Sequence, residues 1–283
     1  MIPILFKIGP LNIFGFQIGP IPIYSFGLML GIGFLLGSYI LSLELKRKKI
    51  DPNLASNITI IALLFGIAGA KLFHLIENWE MFLRAPLEAT FSAGGLTWYG
   101  GLIIGMTAII LYLRAKKVPV LKVIDGLGVA LILAYGVARL GCHLAGDGDY
   151  GMPTNLPWGT NYENGTYPPS RAFAIFPEVT SQYPNGIVPD NTPCHPTPVY
   201  EMILGVLGFL LMWKYFRKQN YPDGMLFAIY LVMSSLFRFS IEFLRLNPRL
   251  LWGLSEAQLI GIVLFALGVG WILLLRKKMA TAS

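Results

Sequence analysis

The stretch Leu254–Leu275 reads LSEAQLIGIVLFALGVGWILLL and is followed at once by Arg276, Lys277 and Lys278. Its one charged residue, Glu256, stands near the start. A helix rises about 1.5 Å per residue, so a run of this length reaches across a hydrocarbon layer about 30 Å thick, and the basic cluster marks where it leaves the lipid. Working back along the chain, six more segments meet the same test: about Tyr24–Leu43, Leu54–Ile76, Gly95–Leu113, Leu121–Leu144, Pro198–Phe216 and Gly224–Phe243. The expected fold is all-α: a polytopic membrane protein of about seven transmembrane helices, with residues 1–283 as one integral membrane domain. Composition agrees, because 55% of the residues are hydrophobic and only 13% are charged, about half the charged share of a soluble domain. That excludes an ordinary soluble enzyme.

A net charge of +7 would suit a nucleic-acid partner if the basic residues formed one patch. They cluster instead at the ends of alternate spans: Lys46, Arg47, Lys48 and Lys49, then Arg114, Lys116, Lys117 and Lys122, then Lys214, Arg217 and Lys218, and last Arg276, Lys277 and Lys278. Short cytoplasmic loops retain Lys and Arg, so this side is read as the cytoplasm and no nucleic acid is expected. The amino terminus then faces out and the carboxyl terminus in. The start, Met-Ile-Pro-Ile-Leu-Phe, has no basic region leading to a small-residue cleavage site, so no removable signal peptide is expected.

Between the fourth and fifth spans, residues 146–196 lie outside. Rich in Pro, Gly, Asn and Tyr and without helical period or strand alternation, they read as an irregular external cap. Cys142 and Cys194 flank it. An oxidising compartment would allow them to join, and two free, partly buried thiols is an equally good reading.

Ionisable groups inside a span are costly and ask for a partner or a task. Lys71, Arg139, Arg238 and Glu242 are such groups. Counted from Lys122 and Gly224, Arg139 and Arg238 lie roughly 26 Å and roughly 21 Å along their helices, in the outer half of the membrane. Arg238, Glu242 and Arg245 are spaced i, i+4, i+7, one face of a continuous helix. An internal Arg238–Glu242 pair that only locks helices is one reading. The favoured one is that cations converging from several helices hold an anionic ligand, and a phospholipid headgroup is the nearest candidate, since a guanidinium grips two phosphate oxygens at once.

Other motifs surround these charges. Span three opens Gly94-Gly95-Leu96-Thr97-Trp98-Tyr99-Gly100-Gly101, where paired glycines admit close approach of a helix or a substrate, helix packing being the simpler account. After Arg139 comes a glycine-rich turn carrying His143, Asp147 and Asp149, whose spacing matches no strong metal signature. Span five opens His195-Pro196-Thr197-Pro198-Val199-Tyr200-Glu201, and His195 at a membrane surface is more often structural than catalytic.

Taken in order, Gly69-Ala70-Lys71-Leu72-Phe73, Tyr99-Gly100-Gly101-Leu102-Ile103, Arg139-Leu140-Gly141 with its acidic tail, His195 to Glu201, and Phe237 to Arg245 resemble the prolipoprotein diacylglyceryl transferases of the bacterial inner membrane over nearly the whole chain. The resemblance implies transfer of the sn-1,2-diacylglyceryl group from phosphatidylglycerol to the lipobox cysteine thiol of a prolipoprotein signal peptide, with release of glycerol phosphate and no metal or organic cofactor. It implies that Arg139, Arg238 and Tyr99 are catalytic, and that Gly100, Gly101, Cys142, Glu242, Arg245, Lys71, Phe26, His195 and Glu201 bind substrate. Four positions depart from the family's usual residues: Tyr99 replaces a His that is a proposed base, Phe26 a Tyr, Lys71 an Arg and Cys142 an Asn. A phenol is a poor base at neutral pH unless cations draw its proton away. Either Tyr99 is so tuned, or it positions lipid while His143 or His195, with Asp147 or Asp149 behind, takes the proton.

Two other readings compete with the transferase. One is a carrier for an anionic lipid or solute, disfavoured because the chain has no two related halves. The other is a relative that binds lipid or precursor without turnover, motivated by Tyr99.

Overall fold

The computed structural model describes residues 1–13, 16–92, 95–245 and 247–282. In chain order, two strand pairs come first: β1 (Ile4–Ile8) with β4 (Ile21–Tyr24), and between them β2 (Leu11–Ile13) with β3 (Phe16–Ile18), all antiparallel. Then follow α1 (Ser25–Arg47), α2 (Leu54–Glu77), α3 (Trp79–Arg84), α4 (Pro86–Phe91), α5 (Trp98–Ala115) and α6 (Val120–Ala145). The segment after α6 holds β5 (Thr160–Asn161), single-turn helices α7 (Pro169–Ala172) and α8 (Pro177–Thr180), and β6 (Pro193–Cys194). Last come α9 (Thr197–Lys214), α10 (Met225–Ile241), the strand pair β7 (Arg249–Leu251) and β8 (Leu254–Ser255), and α11 (Glu256–Ala282).

Among the described residues seven helices are long and apolar enough to cross a membrane, and they fall on the seven expected segments. Their outer faces carry apolar side chains such as Leu35, Leu64 and Leu273, each well over half exposed, as a lipid solvent requires.

Four boundaries differ from expectation, each for a local reason. Tyr24 belongs to β4, and α1 begins one residue later, where the Ser25 amide donates to the Pro3 carbonyl at 2.9 Å. Gly95 is not helical: its φ of +71° is a left-handed conformation open to glycine, and α5 starts only at Trp98. Leu254 and Ser255 pair with β7 before α11 begins. On span six the α-helix stops at Ile241, residues 242–244 form a 3-10 turn, and Arg245 is extended, with φ −96° and ψ 151°. The expected single face for Arg238, Glu242 and Arg245 is thus corrected, because Pro248 ahead cannot continue a helix. Gly94, at the head of the expected third span, lies outside the described residues.

Chain contacts cluster in two compact units, residues 1–37 with 127–283, and residues 38–126. In the second unit α2 and α5 meet backbone to backbone along glycines. A side chain at Gly101 would come within 2.8 Å of the Gly66 carbonyl, and one at Gly69 would run into Gly100. Small residues permit this approach and the dispersion contacts that hold two helices where lipid is as apolar as the helices themselves. The same unit buries Glu44 beside Arg47 at 2.7 Å and pairs Lys48 with Asp125 at 2.6 Å.

In the first unit α6 and α9 approach at Gly136 and Gly205 in the same way. The cap, built of single turns and two-residue strands, has a core of its own: Tyr150, Tyr162, Phe173, Phe176, Val179, Val188 and Cys194 are buried together, with Tyr150 and Tyr162 stacked at 4.1 Å. Stacked aromatics supply a large apolar payload, which lets so short a segment hold a fixed shape. Their phenols are pushed above the usual range by that burial.

Candidate active site

A backbone knot at the base of the cap positions the site. The Gly151 amide donates to the His195 carbonyl at 2.8 Å, the His195 amide to Met152 at 3.0 Å, and the Met152 amide to Leu244 at 2.9 Å. Gly151 also forms a bridge with Arg245. Three chain segments that follow or precede α6, α9 and α10 are thereby tied at one point. Thr197, at the start of α9, adds a hydroxyl bond to the Asp149 carbonyl at 2.8 Å.

Around the knot three guanidinium groups meet three carboxylates. Glu201, on α9 and almost fully buried, is the centre. Its Oε2 receives Arg139 Nε from α6, and its Oε1 receives Arg238 Nη1 from α10 at 2.7 Å and the Tyr135 hydroxyl at 2.9 Å. Arg245 Nη1 stands 3.8 Å from Oε2, buried and, among the described residues, without a hydrogen bond of its own. Asp149 pairs with both Arg139 and Arg245. Glu242 lies 3.1 Å from Arg238 Nη2 and accepts from Asn247. The internal Arg238–Glu242 pair of the first reading is present, and the protein supplies two further carboxylates to the converging arginines. Unpaired, such charges would cost several kcal/mol each by desolvation, roughly.

The electrostatics outside the spans follow from this pairing. Burial alone would raise the Asp149 carboxyl, but Arg245 and Arg139 outweigh it and hold it at about 2. Asp147 is pushed upward, first by burial and then by the Asp149 charge. Asp147 and Asp149 approach Cys142, with ligating atoms within 4.8 Å of one another. Asp149 is spent on two arginines and Arg139 also donates to the Cys142 sulfur at 3.4 Å, so this donor set suits a cation poorly.

The remaining expected site residues fall as follows. In the first unit, Phe26 sits in the first turn of α1, whose backbone there passes close to Gly141, and its ring is partly exposed. His195 Nδ1 contacts the Tyr200 hydroxyl at 3.3 Å, and burial lowers its proton affinity. His143 Nδ1 faces the Tyr162 hydroxyl at 3.0 Å. Cys142 and Cys194 are both free and buried, so the open question of their pairing resolves to two thiols. In the second unit, the Lys71 ammonium reaches the Ser92 carbonyl and hydroxyl at 3.0 and 2.9 Å. Tyr99 packs edge-on against Trp98 at 5.3 Å, and Gly100 and Gly101 face α2 as packing residues.

Sequence reasoning did not single out Tyr135, or Asp149 as a counter-ion. Tyr135 lies four residues before Arg139 on α6, which is a readable signal, and the Arg139 guanidinium carbon sits 5.7 Å from its ring centre. Asp149 gave no such signal, because it stands off the helix ten residues after Arg139 and its other partner, Arg245, is distant in sequence.

The fold and the cluster define a multi-pass membrane protein with a buried arginine–carboxylate centre beneath a packed cap. Residues 14–274 match the family model described as prolipoprotein diacylglyceryl transferase, and the chain belongs to that family. Proteins named phosphatidylglycerol–prolipoprotein diacylglyceryl transferase are similar along most of its length. That of Clostridium tetani is 30% identical over 90% of this chain and 94% of its own. That of Gloeobacter violaceus is 30% identical over 93% of each, and that of Leptospira interrogans 28% identical over 88% of each.

Proposed function

We propose that this protein transfers the sn-1,2-diacylglyceryl group of phosphatidylglycerol to the lipobox cysteine thiol of a prolipoprotein signal peptide. The observation that carries the proposal is the convergence of Arg139 and Arg238, from two different helices, on one buried point. Family membership and the printed names of the relatives support the same chemistry. Family membership supports a location in the bacterial cytoplasmic (inner) membrane, and basic loops on alternate span ends support an amino terminus outside and a carboxyl terminus in the cytoplasm, with the cap and arginines toward the outer leaflet.

In this reading the two arginines take the phosphate of the membrane lipid. The substrate's sulfur, as thiolate, attacks the glyceryl carbon that bears the phosphate ester. A C–S bond forms, the C–O bond breaks, and glycerol phosphate leaves with the bonding electrons. Fixed guanidinium charge stabilises the leaving oxygen as its charge develops, and does so more strongly in a site shielded from water. The same charge favours thiolate over thiol. With this charge supplied by side chains, the reaction calls for no metal or organic cofactor. Arg245 and Glu242 set the positions of the other charges, Cys142 backs Arg139, and Tyr99 is assigned to proton handling or lipid placement. Phe26 and His195 are proposed substrate contacts in the first unit and Lys71 in the second, Gly100 and Gly101 serve by packing α5 against α2, and Glu201 holds the arginine donors.

The test is a transfer assay of purified protein with phosphatidylglycerol and a lipobox peptide. A thioether-linked diacylglyceryl peptide is expected. Lipid binding without that product would make the protein a binder instead.

A further inference from the structure

Counted over its ion pairs, the arginine cluster is neutral, with the Asp147 carboxyl beside it. Arg139, Arg238 and Arg245 face Asp149, Glu201 and Glu242, so a phosphate brought among them adds negative charge that nothing balances unless a carboxylate yields. The three carboxylates are not equivalent. Asp149 holds two arginines and Glu242 one, whereas Glu201 lies against all three and against the Tyr135 hydroxyl. Its surroundings, several converging guanidinium donors and one hydroxyl, are those a phosphate would seek.

Resting on the reading above, we infer that Glu201 is a displaceable internal anion: it occupies the arginine donors in the empty site and gives them up to the phosphate of an incoming phosphoester. Its departure releases Arg139 Nε and Arg238 Nη1 together, and Arg245 Nη1 already stands without a hydrogen bond. Access is asymmetric. The Arg238 side chain is 30% exposed, against 11% for Arg139 and 7% for Arg245, so exchange begins at Arg238. Arg139 and Arg245 keep Asp149 throughout, which leaves the clamp standing while its central anion changes. Glu201 is here a positioning residue: it competes with the ligand and takes no part in bond making.

The experiment compares full-length wild type, Glu201→Gln and Arg238→Ala in phosphatidylcholine nanodiscs, titrated separately with inorganic phosphate and with phosphatidylglycerol. Glu201→Gln keeps the shape and removes the charge. It is expected to lower Kd for the phosphate group by at least about tenfold, the modest end of what deleting a like charge about 4 Å away in a shielded site produces. Tightening for both titrants assigns the effect to phosphate itself; tightening for the lipid alone assigns it to the headgroup in its membrane setting. Unchanged or weaker binding by folded Glu201→Gln overturns the inference and leaves the clamp. Equal binding by wild type and Arg238→Ala removes the clamp, and the inference with it. Should Glu201→Gln fail to fold, a wild-type structure with phosphatidylglycerol decides. The 2.7 Å contact between Arg238 and Glu201 is expected to open beyond hydrogen-bonding distance, and its persistence beside bound lipid would refute displacement.

Discussion

Arg238 donates from Nη1 to one oxygen of Glu201 at 2.7 Å, while the other oxygen of that carboxylate receives Nε of Arg139. Two helices are thus joined through a single side chain on a third. The arrangement makes each arginine both a structural tie and the positive charge that a phosphate would meet. The consequences of removing either one differ accordingly.

Arg238→Ala is expected to lower diacylglyceryl transfer by roughly a hundred- to a thousandfold, the order seen when one donor to a developing anion is lost. Its side chain is partly exposed, so folding should survive. Arg139→Ala is expected to abolish transfer and to destabilise the fold by about 3 kcal/mol, since it leaves three carboxylates facing two guanidinium groups. Transfer assays paired with thermal unfolding in detergent check both; full activity in either variant contradicts the clamp.

Tyr99→Phe separates two roles. If Tyr99 places lipid, kcat falls modestly; if it handles the proton, kcat collapses and Tyr99→His restores it. The pH profile of kcat across the three forms reads the difference.

Stability should depend on acid through Asp149. Its folded carboxyl sits at about 2, below its ordinary value of 3.8, because Arg245 and Arg139 overcome burial. A depressed carboxylate contributes stability that is complete above the unfolded value and lost as pH falls through the folded one. Thermal unfolding of wild type should weaken between about pH 4 and pH 2, and Asp149→Asn should flatten that dependence.

Cys142 and Cys194 are free in the structure. Denatured protein should take up two equivalents of alkylating reagent without prior reduction. In the folded state Cys194 should react slowly, since burial pushes its thiol up to about 12 and little thiolate forms at neutral pH.

Gly69→Leu is expected to destabilise the second unit by about 1–3 kcal/mol, as overpacking does. A side chain there would run into Gly100 and Ile104 on α5. An unchanged melting temperature would show that α2 and α5 do not depend on that approach.

The seven spans were legible from the sequence because lipid imposes one rule on every residue of a segment: stay apolar for about 20 positions and keep charge at the ends. The rule is local, and so was the reading; even Tyr135, unnoticed, stood at a readable spacing from Arg139. What the sequence could not decide was the balance of charge. Asp149 follows Arg139 by ten residues, just past the end of α6, but Arg245, Glu201 and Arg238 come from segments far along the chain, and their meeting depends on the backbone knot among Gly151, His195 and Leu244. The sequence by itself determined that this chain lies in a membrane and carries costly cations there. Only the tertiary structure decided that three carboxylates neutralise them, because a Coulomb interaction depends on distance in space and is blind to distance along the chain.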